Sequence, residues 1–344
     1  MESKIPYISM SELLKKYFIS GKTSLVVTGT HGKTTTSSMV AFLLEAAGFD
    51  PTAVIGGVVR AFRGNTRHGD GAFIVLEADE SDRSFLHLKP DVAVLTNIDH
   101  EHLDAYDGFD GLMSAFEEFA NRVPGTGRVV VCADDPVLAD MSKRLAGRTL
   151  TYGIDNTAAS IRAHNIVLKS DGSSCLVRLS LDEMTKEIPL HLSVPGQHNV
   201  SNALAAIATA TCLGIDTETA VNALESFTGV ERRFQRYRTW NNIDIVDDYA
   251  HHPTEIAATL LGAKQISKNI TVVFQPHRYS RTKVLFNDFI KTLSKINKLY
   301  LLDTYSAGEK ILKGYETKNI FMKLKKKNRK VEYISNKNLN SLIY

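Results

Sequence analysis

The sequence predicts an α/β protein: a mainly parallel sheet with a small antiparallel meander, followed by a second α/β domain. Three observations carry this. Short continuous apolar runs alternate with segments of helical period, as strands buried on both faces and covered by helices do. Residues 160–193 break that rhythm with two-residue alternation around an Asp171-Gly172 turn, the pattern of antiparallel strands. After Gly229 the first rhythm restarts, which marks a second unit.

In chain order, SLVVTG (24–29) reads as a strand and KTTTSSMVAFLLEAAG (33–48) as a helix stopped at Gly48. AFIVLEAD, DVAVLTN and GRVVVCAD read as further buried strands, with FDGLMSAFEEFANRV and PVLADMSKRLAG as the helices between them. The meander runs through SIRAHNIVLKS, SSCLVRLSL and KEIPLHLSV, and two helices follow, NVSNALAAIATATCLG and DTETAVNALESF. The second unit reads IDIVDDY, PTEIAATLLGAKQI, NITVVFQ, VLFNDFIKTLSKI and KLYLLDTY as strand, helix, strand, helix, strand. This gives a linker at 1–20, a central domain at 21–228 and a second domain at 229–344.

The 344 residues suffice for two domains, and 43% hydrophobic with 23% charged residues is a globular composition. A net charge of +3 is too small to argue for nucleic acid. Cys132, Cys175 and Cys212 lie far apart and read as reduced structural cysteines. No apolar run reaches the length of a membrane span, so a cytoplasmic protein without membrane insertion is expected. Lysine is denser late in the chain, and the run from Lys323 to Lys330 reads as a solvated helix face.

The segment 25–39, LVVTGTHGKTTTSSM, carries the chemistry. A strand entering a glycine turn and then a helix presents backbone amides at the positive end of a helix dipole, an anion site. Lys33 adds a mobile charge for β- and γ-phosphates, and Thr34 a hydroxyl for Mg2+. The usual P-loop pattern places a glycine five residues before Gly32, where Val27 stands; Gly29 comes three before. The loop is read as binding a nucleoside triphosphate through Gly29, Thr30, His31, Gly32, Lys33, Thr34 and Thr35.

GTHGKTTT resembles the short P-loop of the Mur ligases, the ATP-dependent enzymes that add amino acids to the peptidoglycan precursor. EADESDRSFL (77–86), TNIDHEHLDAY (96–106), PGQHNVSNALAA (195–206), GVERRFQ and DDYAHHPTE (229–255) match the family in order. The resemblance runs from about residue 5 to about 315. FQPHRYSRT and DTYSAGE point to the branch that joins L-alanine to UDP-N-acetylmuramate. The family implies a central P-loop-type ATPase domain and a Rossmann-like second domain.

EADESD places four carboxylates at a strand end, where an unpaired buried carboxylate would be costly unless a cation neutralised it. The resemblance assigns Glu77 and Thr34 to Mg2+, with His102 as a further metal ligand; His100 is not assigned. Several family members have a carbamylated lysine about fifteen residues after that histidine. Glu117 stands near that place, and is expected to supply the negative charge directly. The family further implies adenine contacts from Asn202, with His198 and Asn199 nearby, a phosphate contact from Arg233 on the second domain, and a ribose contact from Asp248. His251, His252, Arg278 and Arg281 follow strands of the second domain, and guanidinium forks suit carboxylates. They are expected to hold the amino acid's carboxylate and the acyl phosphate. Catalytic roles therefore fall to Lys33, Glu77, His102, Arg278 and Arg281.

The implied reaction runs through an acyl phosphate, with ATP, UDP-N-acetylmuramate and L-alanine as small-molecule partners and Mg2+ as cofactor. The division of residues between domains implies hinged closure on ATP. No GxGxxG stretch precedes residue 25, so a UDP-gripping N-terminal domain is expected to be missing and UDP-N-acetylmuramate binding to be poor. The chain is also expected to stop short of the second domain's last strand. Two alternatives stay open: the ligase that attaches a whole tripeptide, and a nucleotide-binding fragment without ligase activity.

Overall fold

Apolar runs of four to six residues become the strands of a wide sheet in the computed structural model, which describes residues 7–145, 148–181, 184–237, 239, 241–326 and 330–335. Two compact units divide the chain, residues 1–245 and 246–344.

A short helix, α1 (Met10–Tyr17), opens the first unit. It starts at a capping box in which Ser9 and Glu12 satisfy each other's backbone amides. β1 (Thr23–Thr28) then feeds α2 (Lys33–Ala46), and Gly48 follows with φ 83°. Next come β2 (Thr52–Val59), β3 (Gly64–Arg67), β4 (Phe73–Glu77), β5 (Val92–Leu95), α3 (Gly108–Asn121), β6 (Arg128–Cys132), α4 (Pro136–Arg144) and β7 (Thr149–Gly153). The meander is β8 (Ile161–Leu168), β9 (Ser173–Leu181) and β10 (Met184–Leu192), before α5 (Gln197–Cys212), α6 (Thr217–Glu225) and a two-residue strand, β11 (Gln235–Arg236).

Strands β1 to β10 form one sheet in the order β10-β9-β8-β7-β6-β5-β1-β4-β2-β3. Pairing is parallel from β8 through β2 and antiparallel at both flanks. The meander is therefore no separate sheet: β7 pairs with β8 in parallel and carries the antiparallel strands as an extension.

Leu25, Val26 and Val27 are wholly buried, as expected of a central strand covered on both faces. α2 and α5 pack together and are buried around most of their surface, so neither shows an apolar stripe. α3 does: Leu112, Ala115, Phe116, Phe119 and Ala120 face inward, with Phe85 packed on Phe116 and Phe119 at 5.4 and 5.1 Å between ring centres.

In the second unit the expected strand at 243–249 shrinks to β12 (Val246–Asp247). α7 (Pro253–Ile266), β13 (Thr271–Phe274), α8 (Tyr279–Val284), α9 (Phe286–Leu293), β14 (Lys298–Leu302), α10 (Thr317–Lys325) and β15 (Lys330–Ile334) follow. β13, β14 and β15 pair in parallel around Phe274, Phe289, Leu299, Leu301, Ile320 and Leu324. Lys323 and Lys325 are exposed on α10 beside buried Leu324, the solvated face expected of that basic run; its residues 327–329 lie outside the described ones, as do residues 1–6 of the expected linker. No helix among the described residues is long and apolar enough to cross a membrane.

Candidate active site

The turn between β1 and α2 closes against the end of β5. Gly29 holds φ 136°, and a Cβ there would lie 2.0 Å from Thr96 Oγ1, so only glycine fits. Thr30 N donates to Asn97 O at 3.0 Å and His31 N to Asn97 Oδ1 at 2.8 Å. Thr96 Oγ1 and Asn97 Nδ2 return bonds to His31 O at 2.7 and 3.0 Å. His31 Nε2 lies 3.1 Å from Asp99 Oδ2. Gly32 takes the left-handed conformation that starts α2, with φ 81°. Thr35, like Thr34, lies buried in the helix's first turn. These bonds tie the amides of Thr30 and His31 to Asn97 and fix the turn that leads into the N-terminus of α2, the positive end of a helix dipole.

Lys33 Nζ folds back into this loop, donating to Gly29 O at 2.6 Å, Thr30 O at 3.2 Å and Glu80 Oε2 at 2.7 Å. Burial pulls the ammonium's pKa down, but Glu80, Asp79 and Glu77 outweigh it and hold it above the ordinary lysine value. Glu80 is 1% exposed, and burial lifts its carboxyl to about 7 against the pull of Lys33. Its Oε1 has no hydrogen-bond partner among the described residues. Beside this pair, Thr34 Oγ1 donates to Glu77 Oε1 at 2.8 Å, and Gly56 N to Glu77 Oε2 at 2.5 Å. Asp79, Glu80 and His102 bring ligand atoms within 4.8 Å of one another. His102, with φ 56°, thus groups with Asp79 and Glu80.

Asn202 backs the loop. Its Oδ1 accepts from Thr36 Oγ1 at 3.1 Å and lies 2.7 Å from where a Gly32 Cβ would stand. Asn199, also buried, has its Oδ1 3.4 Å from Asn202 Nδ2, and its own Nδ2 donates to Pro195 O at 2.7 Å. His198 is exposed in the first turn of α5. Arg233 falls among residues 1–245, half-buried, with its N donating to Val230 O at 3.3 Å.

Glu117 requires a correction. The inward face of α3 is taken by Leu112, Phe116 and Phe119, which leaves Glu117 on the flank toward α4. There both carboxylate oxygens bind Arg144, at 2.9 and 3.0 Å. The Arg144 guanidinium holds Glu117 below the usual carboxylate range. It lines a groove of about 560 Å³ with Asp110, Met113, Val137 and Asp140 instead of joining the phosphate loop.

In the second unit Asp248 Oδ1 accepts from Ala250 N at 2.7 Å. His252 is the N-cap of α7, its Nδ1 accepting from Thr254 N at 3.3 Å while Glu255 binds back to its amide, so this histidine has a structural duty. His251 stacks obliquely on His277 at 5.6 Å. Arg281 is buried, with one terminal nitrogen 2.9 Å from His277 Nδ1. Arg278 holds φ 68° and ψ 138°, and its Nε is buried without a hydrogen-bond partner among the described residues. Sequence reasoning missed Glu80 and the Gly56 amide. Glu80 stood in the quoted acidic cluster, but its pairing with Lys33 spans 47 residues and has no local signal.

A strand–loop–helix phosphate cradle with carboxylates at the neighbouring strand's exit, joined to a second α/β unit, defines a P-loop-type enzyme architecture. The chain belongs to the Mur ligase family: residues 27–210 match the Mur ligase middle domain and 232–340 the domain described as "Mur ligase, glutamate ligase domain". It is 44% identical over 321 residues to a UDP-N-acetylmuramate–L-alanine ligase of Aquifex aeolicus, covering 93% of this chain and 70% of that protein. A relative of the same name from Sinorhizobium medicae is 42% identical over 331 residues, 94% of this chain and 69% of its own. Among solved structures, the UDP-N-acetylmuramate–alanine ligase of Thermotoga maritima superposes with a TM-score of 0.77 at 31% identity, covering 95% of this chain and 69% of that one. A murein peptide ligase from Psychrobacter arcticus gives 0.69 at 25% identity, covering 96% and 73%.

Proposed function

We propose that this chain is an ATP-dependent ligase that joins the lactyl carboxylate of UDP-N-acetylmuramate to L-alanine through an acyl phosphate, in peptidoglycan precursor synthesis. Relatives at 42–44% identity carry the name of that reaction, which favours it over tripeptide attachment. On this reading residues 21–228 form the ATP-binding domain and 229–344 the domain after it.

The observation that carries the chemistry is the Thr34–Glu77 couple beside Lys33. Two oxygen donors 2.8 Å apart suit a hard divalent cation, and the partnerless Glu80 oxygen adds negative potential nearby. Thr34 and Glu77 would hold Mg2+; His102, which groups with Asp79 and Glu80, is assigned as a further metal ligand on that side. Bound there, Mg2+ would neutralise phosphate charge as the two anions meet. The loop from Gly29 to Thr35 would grip the phosphates, chiefly through the amides that open α2, since those of Thr30 and His31 are bound to Asn97, and Lys33 would exchange Glu80 for a phosphate oxygen. The lactyl carboxylate oxygen then bonds to the γ-phosphorus as the bond to ADP breaks. The L-alanine amine attacks the acyl carbon, losing a proton as phosphate departs. Asn199, Asn202 and His198 are assigned to the adenine side, Asp248 to the ribose and Arg233 to the phosphates. Arg278 and Arg281, with His251 and His252, are assigned to the amino-acid carboxylate.

ADP release that requires both UDP-N-acetylmuramate and L-alanine would support this reading. Release with L-alanyl-γ-D-glutamyl-diaminopimelate in place of L-alanine, or ATP binding without amide formation, would overturn it.

A further inference from the structure

Two loops of the second unit are laced together where β13 and β14 end. Tyr305 N donates to Pro276 O and Arg278 N to Tyr305 O, both at 2.8 Å. Gln275 Nε2 donates to Asp303 O at 2.9 Å, and the His277 ring stacks on Tyr305 with centres 5.3 Å apart. Inside this lacing sits Arg278, at φ 68° and ψ 138°, a conformation almost confined to glycine. Arginine has no short polar side chain with which to ease it. Such a conformation lasts only where the surroundings over-determine it. Thr282 contributes from one side, its Oγ1 donating to Arg278 O at 2.9 Å.

Glu309 contributes from the other. Its Oε2 accepts from Ser280 N at 3.0 Å and its Oε1 from Ser280 Oγ at 2.5 Å, so both oxygens grip the start of α8 two residues past Arg278. Burial raises the Glu309 carboxyl, but the bonds from Ser280 and the Tyr279 amide outweigh it and hold it below the ordinary value. The gripping form is therefore the carboxylate. It reaches Ser280 across 29 residues of sequence, from a loop that itself bends through Ala307 at φ 48° and Gly308 at φ 85°.

We propose that Glu309 is a positioning residue: by clamping Ser280 it fixes the strained backbone of Arg278, and through it the guanidinium, for the carboxylate of the incoming amino acid. The proposal rests on the assignment of Arg278 to that carboxylate, and adds a residue that touches no substrate. A clamp made by a residue near in sequence would follow the arginine turn if it relaxed. One made from the next strand's loop cannot, since that loop is tied to β14.

The test is nuclear magnetic resonance on the full chain. Carbon and nitrogen shifts of Arg278 report its backbone conformation, and titration with L-alanine, against L-alaninamide as a control without a carboxylate, reports recognition. In Glu309→Ala the Arg278 shifts should move toward ordinary negative-φ values while core shifts of β13 and β14 stay in place. L-alanine affinity should fall about tenfold. Glu309→Gln, which keeps an acceptor for Ser280, should restore most of both, and Ser280→Ala should move Arg278 in the same direction by less. Unmoved Arg278 shifts in Glu309→Ala overturn the clamp, as do moved shifts with unchanged L-alanine affinity. A wild-type chain that binds L-alaninamide as well as L-alanine instead overturns the carboxylate assignment, leaving the shifts alone to judge the clamp.

Discussion

At the phosphate loop, the cation has an internal counter-ion: Lys33 binds two loop carbonyls and the buried Glu80 carboxylate. At the arginine turn, Arg278 keeps a buried Nε without a hydrogen-bond partner among the described residues, on a strained backbone. Both sites lie where parallel strands end, yet on the proposed reading one would have to exchange a partner to bind its anion, while the other keeps a guanidinium nitrogen unpaired among the described residues. The surroundings explain the contrast. The loop lies in a wide sheet with wholly buried strands, where a lone ammonium would be costly and Glu80 offsets it. The turn lies on a three-stranded sheet, where geometry rather than charge has been fixed in advance.

The largest test of this contrast is Lys33→Ala. On the proposed reading it removes the charge that would meet the phosphates, and it also leaves Glu80 buried without its cation. ADP release should fall by about 10²–10³-fold, the usual loss when a preorganised electrostatic group is removed. Full turnover would end the phosphate-loop reading. Next is Gly29→Ala, which forces a Cβ into Thr96 at a backbone angle unfavourable for L residues. A loss of about 1–3 kcal/mol in urea unfolding is expected from such strain. No loss would mean that the turn can relax, and the amide cradle with it.

The sequence made the scaffold legible where periodicity was local. α7 spans the residues its apolar spacing and leading proline indicate, and the meander turns at Asp171-Gly172 between β8 and β9. It was illegible where composition interrupts pattern. β2 contains Gly56-Gly57, which breaks an apolar run, yet Gly56 lends its amide to Glu77. β15 begins at the end of a basic run, where charge masks the short apolar pattern of Val331, Tyr333 and Ile334. In the site, the glycines, Lys33 and Thr34 announce themselves by adjacency, whereas Glu80 and Asn97 act through partners 47 and 66 residues away. His252 adds a duty that the motif did not announce: its Nδ1 caps α7.

A pH series sharpens the contrast further. Glu80 has a folded pKa raised from 4.5 to about 7, so its contribution to stability is whole below 4.5 and is lost as pH rises through 7. Glu309 has a lowered folded pKa, so its contribution is present above 4.5 and is lost as pH falls through the folded value. Thermal melts should show Glu80→Gln gaining on wild type from pH 5 to pH 8, and Glu309→Gln losing to it from pH 3 to pH 6. Differences on the order of a few degrees are expected. Difference curves with the same slope would show that the two carboxylates are not held in opposite ways.

The smallest effect belongs to Glu117, and it tests where the site ends. Its ion pair with Arg144 joins α3 to α4 at a half-exposed surface, and such pairs contribute about 0.2–1 kcal/mol. Glu117→Ala should therefore lose no more than that in urea unfolding, and release ADP at the wild-type rate. Glu117→Lys should show no dependence on CO2, because a lysine here would lie on the flank toward α4, against Arg144, rather than beside the phosphate loop. A tenfold drop in turnover for the alanine variant, or activity of the lysine variant that rises with bicarbonate, would return α3 to the catalytic centre. It would also mean that the negative charge around Lys33 is shared beyond Glu80, so that the loop's pairing is less self-contained than its hydrogen bonds indicate.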